Sequence, residues 1–272
     1  MSVEATVRKG LGWVKGFTWS PELQKRSDDH LGSLQSVPDE GGTEVAPWIT
    51  DQGIRESCTA EMGIRWIYVL TGGRIKCSSW VPWWAARVLD APGMPLQNVG
   101  VSLDGFVQAL KMDGACEIER VVNGERIELC PANYPVENTE VDPYAGVPPH
   151  IARDEAQAFN LDVVQIFAYG ERAIAGTVAV LDRGKPAGTV VWADSEYRNP
   201  PIVGGEAIVG PGTQTGGRHA IPVLNYRKRA SGIYEFKTWG SWDETHGVMG
   251  EVWIHQDRIA NAPFNGFAES AS

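Results

Sequence analysis

Apolar residues recur at intervals of three and four through 58–70, 80–89 and 103–112, and then give way to short runs rich in β-branched residues at 177–181, 188–192, 220–225, 233–236 and 250–254. The first spacing keeps one face of a helix apolar; the second suits strands separated by Gly, Pro and Asn turns. In the first predicted helix Ala60, Ile64 and Ile67 share a face, Ser57 stands where an N-cap is expected, and Gly72-Gly73 ends the run. The third ends at Gly114. Helices first and strands later predict an α+β body. The expected organisation is an arm and linker over 1–44, a body over 45–262 divided into a mainly helical part (about 45–135) and a mainly β part (about 136–262), and a loose tail over 263–272.

Composition narrows the functional classes. The chain has 272 residues, 43% hydrophobic and 21% charged, which is enough apolar material for a core and too little charge for global disorder. Its net charge of −10 opposes binding to a phosphate backbone, so no nucleic-acid partner is expected. No run approaches the roughly 18 apolar residues of a membrane helix, and the first residues lack the apolar region of a secretory signal. The expected location is therefore the cytoplasm, or a virion that carries the protein. Four cysteines form no CxxC pair and the five histidines no HExxH spacing, so neither a metal nor another cofactor is expected.

The chemistry begins at 51–60, Asp-Gln-Gly-Ile-Arg-Glu-Ser-Cys-Thr-Ala. A thiol in the first turn of a helix lies beside unsatisfied backbone N–H groups and the positive end of the helix dipole, which favour the nucleophilic thiolate. Six residues before Cys58 stands Gln52, whose side-chain amide, with the backbone N–H of Cys58, can form an oxyanion hole. Cys77, Cys116 and Cys130 have no such context and read as core thiols.

The Gln-to-Cys interval with Ser-Cys-Thr-Ala resembles the active-site entry of papain-like cysteine peptidases, in the style of their bacterial and phage members. The run at 79–89 is similar to the family's second helix, and 100–117, ending Asp-Gly-Ala-Cys, to its helix followed by Gly-x-Cys. Residues 217–226, Gly-Arg-His-Ala-Ile-Pro-Val-Leu-Asn-Tyr, resemble the strand of the catalytic His, and Trp239-Gly240-Ser241-Trp242 resembles the closing Trp-Gly loop. The resemblance runs from about 45 to 259. It implies a two-lobed fold, a helical lobe followed by a β-barrel-like lobe with a cleft between them. It also implies Cys58 as nucleophile, His219 as base, Gln52 as oxyanion donor and Trp239 as the indole shielding the base.

Two positions depart from the family pattern. The orienting Asn falls at Lys237, which has no acceptor to offer, or with one deletion at Thr238, whose hydroxyl can accept. A strand starting at His219 and turning near 227–230 brings both to the level of His219, and one residue of register decides between them. Asn225, six residues along the same strand and about 20 Å away, is too far. The second departure is Glu56, where the family has a small Gly lining a substrate subsite; turned inward it would crowd that subsite, turned outward it is a solvated neighbour of Arg55. The expected function is a papain-like peptidase or amide hydrolase acting on a peptide or protein held in the cleft. The alternative is a catalytically reduced member with a structural role, plausible in a phage particle, the arm contacting an assembly partner. A transglutaminase- or amidase-type site shares the Cys-then-His order, but the Gln52 interval argues against it.

Weaker signals stay structural. The glycine-rich 210–217 leads into a strand and not a helix, so it reads as a mobile loop admitting substrate to His219 rather than a phosphate site. Trp80, Trp83 and Trp84 read as lobe core, and Arg227-Lys228-Arg229 as a solvated turn. His30, His150, His246 and His255 read as structural histidines.

Overall fold

The computed structural model describes residues 38–94, 96–134, 146–165 and 169–270; most of the expected arm, His30 included, lies outside the described residues. In chain order the elements are β1 (Glu40–Gly42), α1 (Cys58–Leu70), α2 (Trp80–Asp90), α3 (Leu103–Met112), β2 (Glu119–Val122), β3 (Glu125–Glu128), α4 (His150–Ala156), β4 (Leu161–Gln165), α5 (Glu171–Asp182), β5 (Ala187–Ala193), α6 (Ser195–Arg198), β6 (Ile202–Val203), β7 (Glu206–Val209), β8 (Gly217–Lys228), β9 (Tyr234–Trp239), β10 (Glu251–His255), α7 (Gln256–Ala260) and β11 (Asn265–Ser270). Helices dominate the first half of the chain and strands the second, as the α+β expectation requires. The described residues divide into two compact units, one over 52–163 and one over 38–51 with 164–269. The first runs past the expected boundary near 135 because α4 stays with it. Ala156 and Asn160 lie against the Gly114 turn, and Arg120 pairs with Glu155.

In the first unit α1 is buried all round, from Cys58 to Val69, and not on one face alone. Gly63 permits this, since a Cβ there would come within 3.0 Å of Leu110 and Phe106 on α3. Even its ion pair, Arg65 with Glu61 one turn earlier, is buried. Trp83 on α2 stacks on Tyr134 with ring centroids 3.8 Å apart, Trp80 donates its indole N–H to the Gly146 carbonyl, and Trp84 is half-buried, so this cluster is core as expected. Pro82 falls in the first turn of α2, where no intrahelical bond needs its missing N–H. α3 starts on a true N-cap: Ser102 Oγ accepts from Gly105 N, and Asp90 accepts from the Ser102 N–H and hydroxyl.

The second unit is built on a sheet whose path runs β11-β5-β8-β9-β10-β7-β6, with β1 on the edge of β8. β8 pairs antiparallel with β5 through its first half and with β9 through its second. A bulge lies between Val223 and Asn225. There Thr43 N donates to Leu224 O and Asn225 Nδ2 to Thr43 O, so β1 seals the bulge. Gly42, with φ 132°, has to be glycine, because a Cβ would lie 2.2 Å from Leu224 O.

Three expectations are overturned here. The run 177–181, expected as a strand, lies inside α5. Alanines supply helix propensity around it, Thr177 Oγ1 donates back to Ala173 O, and Gly184 at φ 70° stops the helix. The tail is no loose end: β11 pairs with β5, and Phe264, Phe267 and Ala268 are buried. Residues 40–42 of the expected arm belong to the sheet. No helix among the described residues is long and apolar enough to cross a membrane.

Candidate active site

The expected site residues fall into two groups, one in each unit. In the first, Cys58 opens α1 and is fully buried. Ser57 occupies the N-cap position but its hydroxyl makes no capping bond, contrary to expectation; its φ and ψ of −106° and 17° lack the extended backbone that directs a cap side chain back at the helix. Gln52 is fully buried and donates one amide N–H to Arg55 O at 2.6 Å, closing a turn over Gly53, whose φ of 57° suits glycine. Its amide carries a second N–H.

The segment between them is clamped from a distance. Glu56 N donates to Asn98 Oδ1 and to the Tyr134 hydroxyl, both at 3.0 Å; Asn98 Nδ2 donates to Ile54 O; Arg55 Nε donates to Tyr134 O. The Tyr134 hydroxyl in turn donates to Asn98 Oδ1 at 2.6 Å. Glu56 is half-buried, and its Oε2 is buried with no hydrogen-bond partner among the described residues. Burial pushes its carboxyl up to about 7. A carboxyl held partly desolvated two residues before the thiol is at odds with the outward, solvated geometry weighed from the sequence.

In the second unit His219 is fully buried on β8, opposite Val191 of β5. The expected neighbours are not the ones found. Thr238 pairs with Val223 and Lys237 with Asn225, and Thr238 Oγ1 donates to Val252 O. The turn between β8 and β9 closes at 229–233, later than expected, so β9 reaches the level of His219 only beyond Trp239, and the bulge brings that level back by one residue. Ser241 Oγ stands 3.4 Å from His219 Nε2, and the Trp242 ring stacks on the imidazole with centroids 4.4 Å apart and planes 24° from parallel. Trp239, expected to shield the base, is instead buried in β9 beside a cavity of about 610 Å³ that it shares with Trp253 and residues 40–47. Lys237 reaches Glu251 at 3.4 Å.

Two further side chains complete this cluster. His246 packs edge-on to Trp242 at 4.8 Å and its Nε2 donates to Tyr197 O at 2.7 Å, while burial lowers its proton affinity. The Tyr197 ring lies 6.0 Å from His219 and 5.5 Å from Trp242. The Trp-Gly-Ser-Trp run pointed to this loop; which of its residues meets His219 depended on a bulge that carries no sequence signal. The glycine-rich stretch before β8 is tethered: Arg258 donates to Gly210 O at 2.8 Å and pairs with buried Asp194, and Asp194 accepts from Thr213 N. Burial opposes ionisation of Asp194, but the N–H donors of Thr213 and Tyr197 and the Arg258 charge outweigh it and hold the carboxyl below the usual range. Among the described residues no three His, Cys, Asp or Glu side chains gather into a metal site.

Solved structures share this fold at low sequence identity. Xylellain, a cysteine protease from Xylella fastidiosa, superposes with a TM-score of 0.66 at 17% identity, covering 97% of each chain. Digestive procathepsin L 3 from the larval midgut of Tenebrio molitor gives 0.63 at 12%, covering 98% of this chain and 79% of its own. The bromelain protease of Ananas comosus, in complex with the E64 inhibitor, gives 0.58 at 12%, covering 86% and 100%. No protein-family model matches the sequence, and no curated protein matches it. The chain has a papain-like fold.

Proposed function

We propose that the protein is a papain-like cysteine peptidase in which Cys58 and His219 act as a pair on a peptide substrate. The observation that carries this reading is Cys58 at the head of α1, with buried Gln52 folded back six residues before it, in a chain of papain-like fold. Cys58 attacks the scissile carbonyl as thiolate. The second Gln52 amide N–H and the Cys58 backbone N–H hold the oxyanion, and His219 protonates the departing amine before activating the water that hydrolyses the thioester. Ser241 takes the role expected of Thr238. Its hydroxyl accepts from His219 Nε2–H, fixing the tautomer that leaves Nδ1 for the thiol, while Trp242 covers the ring.

An epoxide inhibitor of the E64 kind is expected to label Cys58 in the folded protein, and labelling and peptide hydrolysis should both vanish in Cys58→Ala. His219→Ala should lower turnover on the order of 10³-fold or more. Folded protein whose Cys58 reacts with neither the epoxide nor iodoacetamide would refute the reading and leave a catalytically reduced protein in its place. The half-buried carboxyl of Glu56 is the feature that favours that second reading, because its ionisation opposes a thiolate nearby.

A further inference from the structure

Trp242 covers His219, yet no hydrogen bond fixes its indole: Nε1 is buried without a partner among the described residues. The orientation of the indole is therefore set by ring contacts. Tyr197 meets it at 5.5 Å with planes 74° apart, and His246 meets it at 4.8 Å, also at 74°. Tyr197 and His246 in turn lie 5.2 Å apart, so the three rings close a triangle with His219 stacked on its Trp242 side. Edge-to-face contacts of this kind have a preferred geometry as well as a contact area.

Within the triangle His246 is tied to backbone. Its Nε2–H donates to Tyr197 O at 2.7 Å, a bond across 49 residues that joins the loop between β9 and β10 to α6. The loop is bent to deliver this ring: Asp243 takes a left-handed φ of 75°, and its Oδ1 accepts from Thr245 N and Thr245 Oγ1 at 2.5 Å each. Gly240 leaves the room, because a Cβ there would lie 2.9 Å from His246 Nδ1. That nitrogen is buried with no hydrogen-bond partner among the described residues, so the ring is tethered through Nε2. A phenylalanine could fill the same space, but it would leave the Tyr197 carbonyl without its donor.

We propose that His246 is a positioning residue for the base, holding Trp242 in its stacked place on the His219 imidazole. The inference rests on the reading of Cys58 and His219 as a pair. With the tether lost, the indole is free to tilt, and the imidazole loses the surface that fixes its plane. His246 is 7% exposed, too little for a peptide to touch, so the effect falls on turnover and not on substrate binding.

The test follows hydrolysis of a fluorogenic peptide amide and, independently of turnover, the ring-proton NMR signals of His219, identified by their loss in His219→Gln. An imidazole stacked on an indole is shifted by the indole ring current, so these signals report the stack itself. His246→Phe should lower kcat about 10-fold with KM within about 2-fold, and should move the His219 signals toward ordinary values. His246→Gln keeps a donor for Tyr197 O and should recover part of the loss. Gly240→Ala presses on His246 Nδ1 without removing a hydrogen-bonding group, and should act in the same direction. In a Trp242→Leu background His246→Phe should have no further effect on kcat, whereas general destabilisation would subtract again. Unmoved His219 signals in folded His246→Phe and Gly240→Ala proteins, or additive losses in the double variant, would overturn the inference. Failure of the Cys58–His219 reading shows itself differently, as wild-type protein that neither hydrolyses the peptide nor reacts with the epoxide; the His219 signals then decide the positioning alone.

Discussion

Cys58 and His219 are both fully buried, yet their surroundings hold them by different means. The loop leading to Cys58 is fastened by single polar contacts from residues far along the chain, Asn98 and Tyr134, which reach the backbone of 54–56. His219 sits in a ladder with β5 and is faced by a stack of rings, with the loop ahead of its strand pinned by an ion pair. The first arrangement depends on a few hydrogen bonds, so one hydroxyl matters. The second depends on register and buried charge. The thiol side should therefore respond to loss of a polar atom, and the imidazole side to an unpaired charge or a shifted strand.

The severest test of this contrast is Arg258→Met. It strands buried Asp194, and the expected loss is ~3–5 kcal/mol in urea unfolding. Because Asp194 is held below its usual range in the folded state, its stabilisation is present at neutral pH and lost as pH falls through the depressed value; the variant should lose that acid dependence. A change below ~1 kcal/mol would mean that the loop is held by something other than this pair. Tyr134→Phe comes next: it keeps the stack on Trp83 but removes the hydroxyl shared by Glu56 N and Asn98, and should cost ~1–3 kcal/mol and slow epoxide labelling of Cys58. Equal labelling rates would show that the clamp does not set the thiol's geometry.

Glu56→Gln should act through pH. The folded carboxyl binds its proton up to about 7, against 4.5 ordinarily, so the folded state is favoured at low pH and that advantage disappears as pH rises through 7. Allowing for its partial exposure, the substitution should raise stability above pH 8 by ~1–2 kcal/mol and change little below pH 4. Parallel stability–pH curves for the two proteins would dispose of this account. The smallest effect belongs to Ser241→Ala, for which turnover should fall less than about 10-fold with stability within ~1 kcal/mol, while Thr238→Val leaves turnover unchanged. The reverse ranking in turnover would return the orienting role to Thr238.

What could be read from the sequence follows the same division. α1 and α3 were legible in extent, because their periodicity and the glycines at 72, 73 and 114 that end them are local signals. The Gln52-to-Cys58 spacing was legible for the same reason. Residues 177–181 were not, since a short buried run of Thr, Val and Leu satisfies a strand or a helix equally and only the flanking alanines decide. Trp242 was legible as part of a loop shielding the base, but Ser241 was missed as a partner of His219 because cross-strand neighbours depend on where the turn closes and on whether a residue is looped out. The clamp by Asn98 and Tyr134 spans 42 and 78 residues, a separation at which one sequence carries no pairing signal.

The bulge at Leu224 works as a parity switch. Upstream of it the odd-numbered residues His219, Ile221 and Val223 share the face of Thr238; downstream, odd-numbered Asn225 and Arg227 lie with Lys237 and Glu235 on the other. Deleting Leu224 alone would join Val223 to Asn225 in an unbroken ladder with both sets kept on their own sides. Removing Val223 with it would force one set onto the wrong side, turning either the imidazole away from Trp242 or Arg227 into the packing around Tyr226. In this strand the shorter deletion is therefore the milder one, and length variation among descendants of this chain should arrive there as the loss of a single residue.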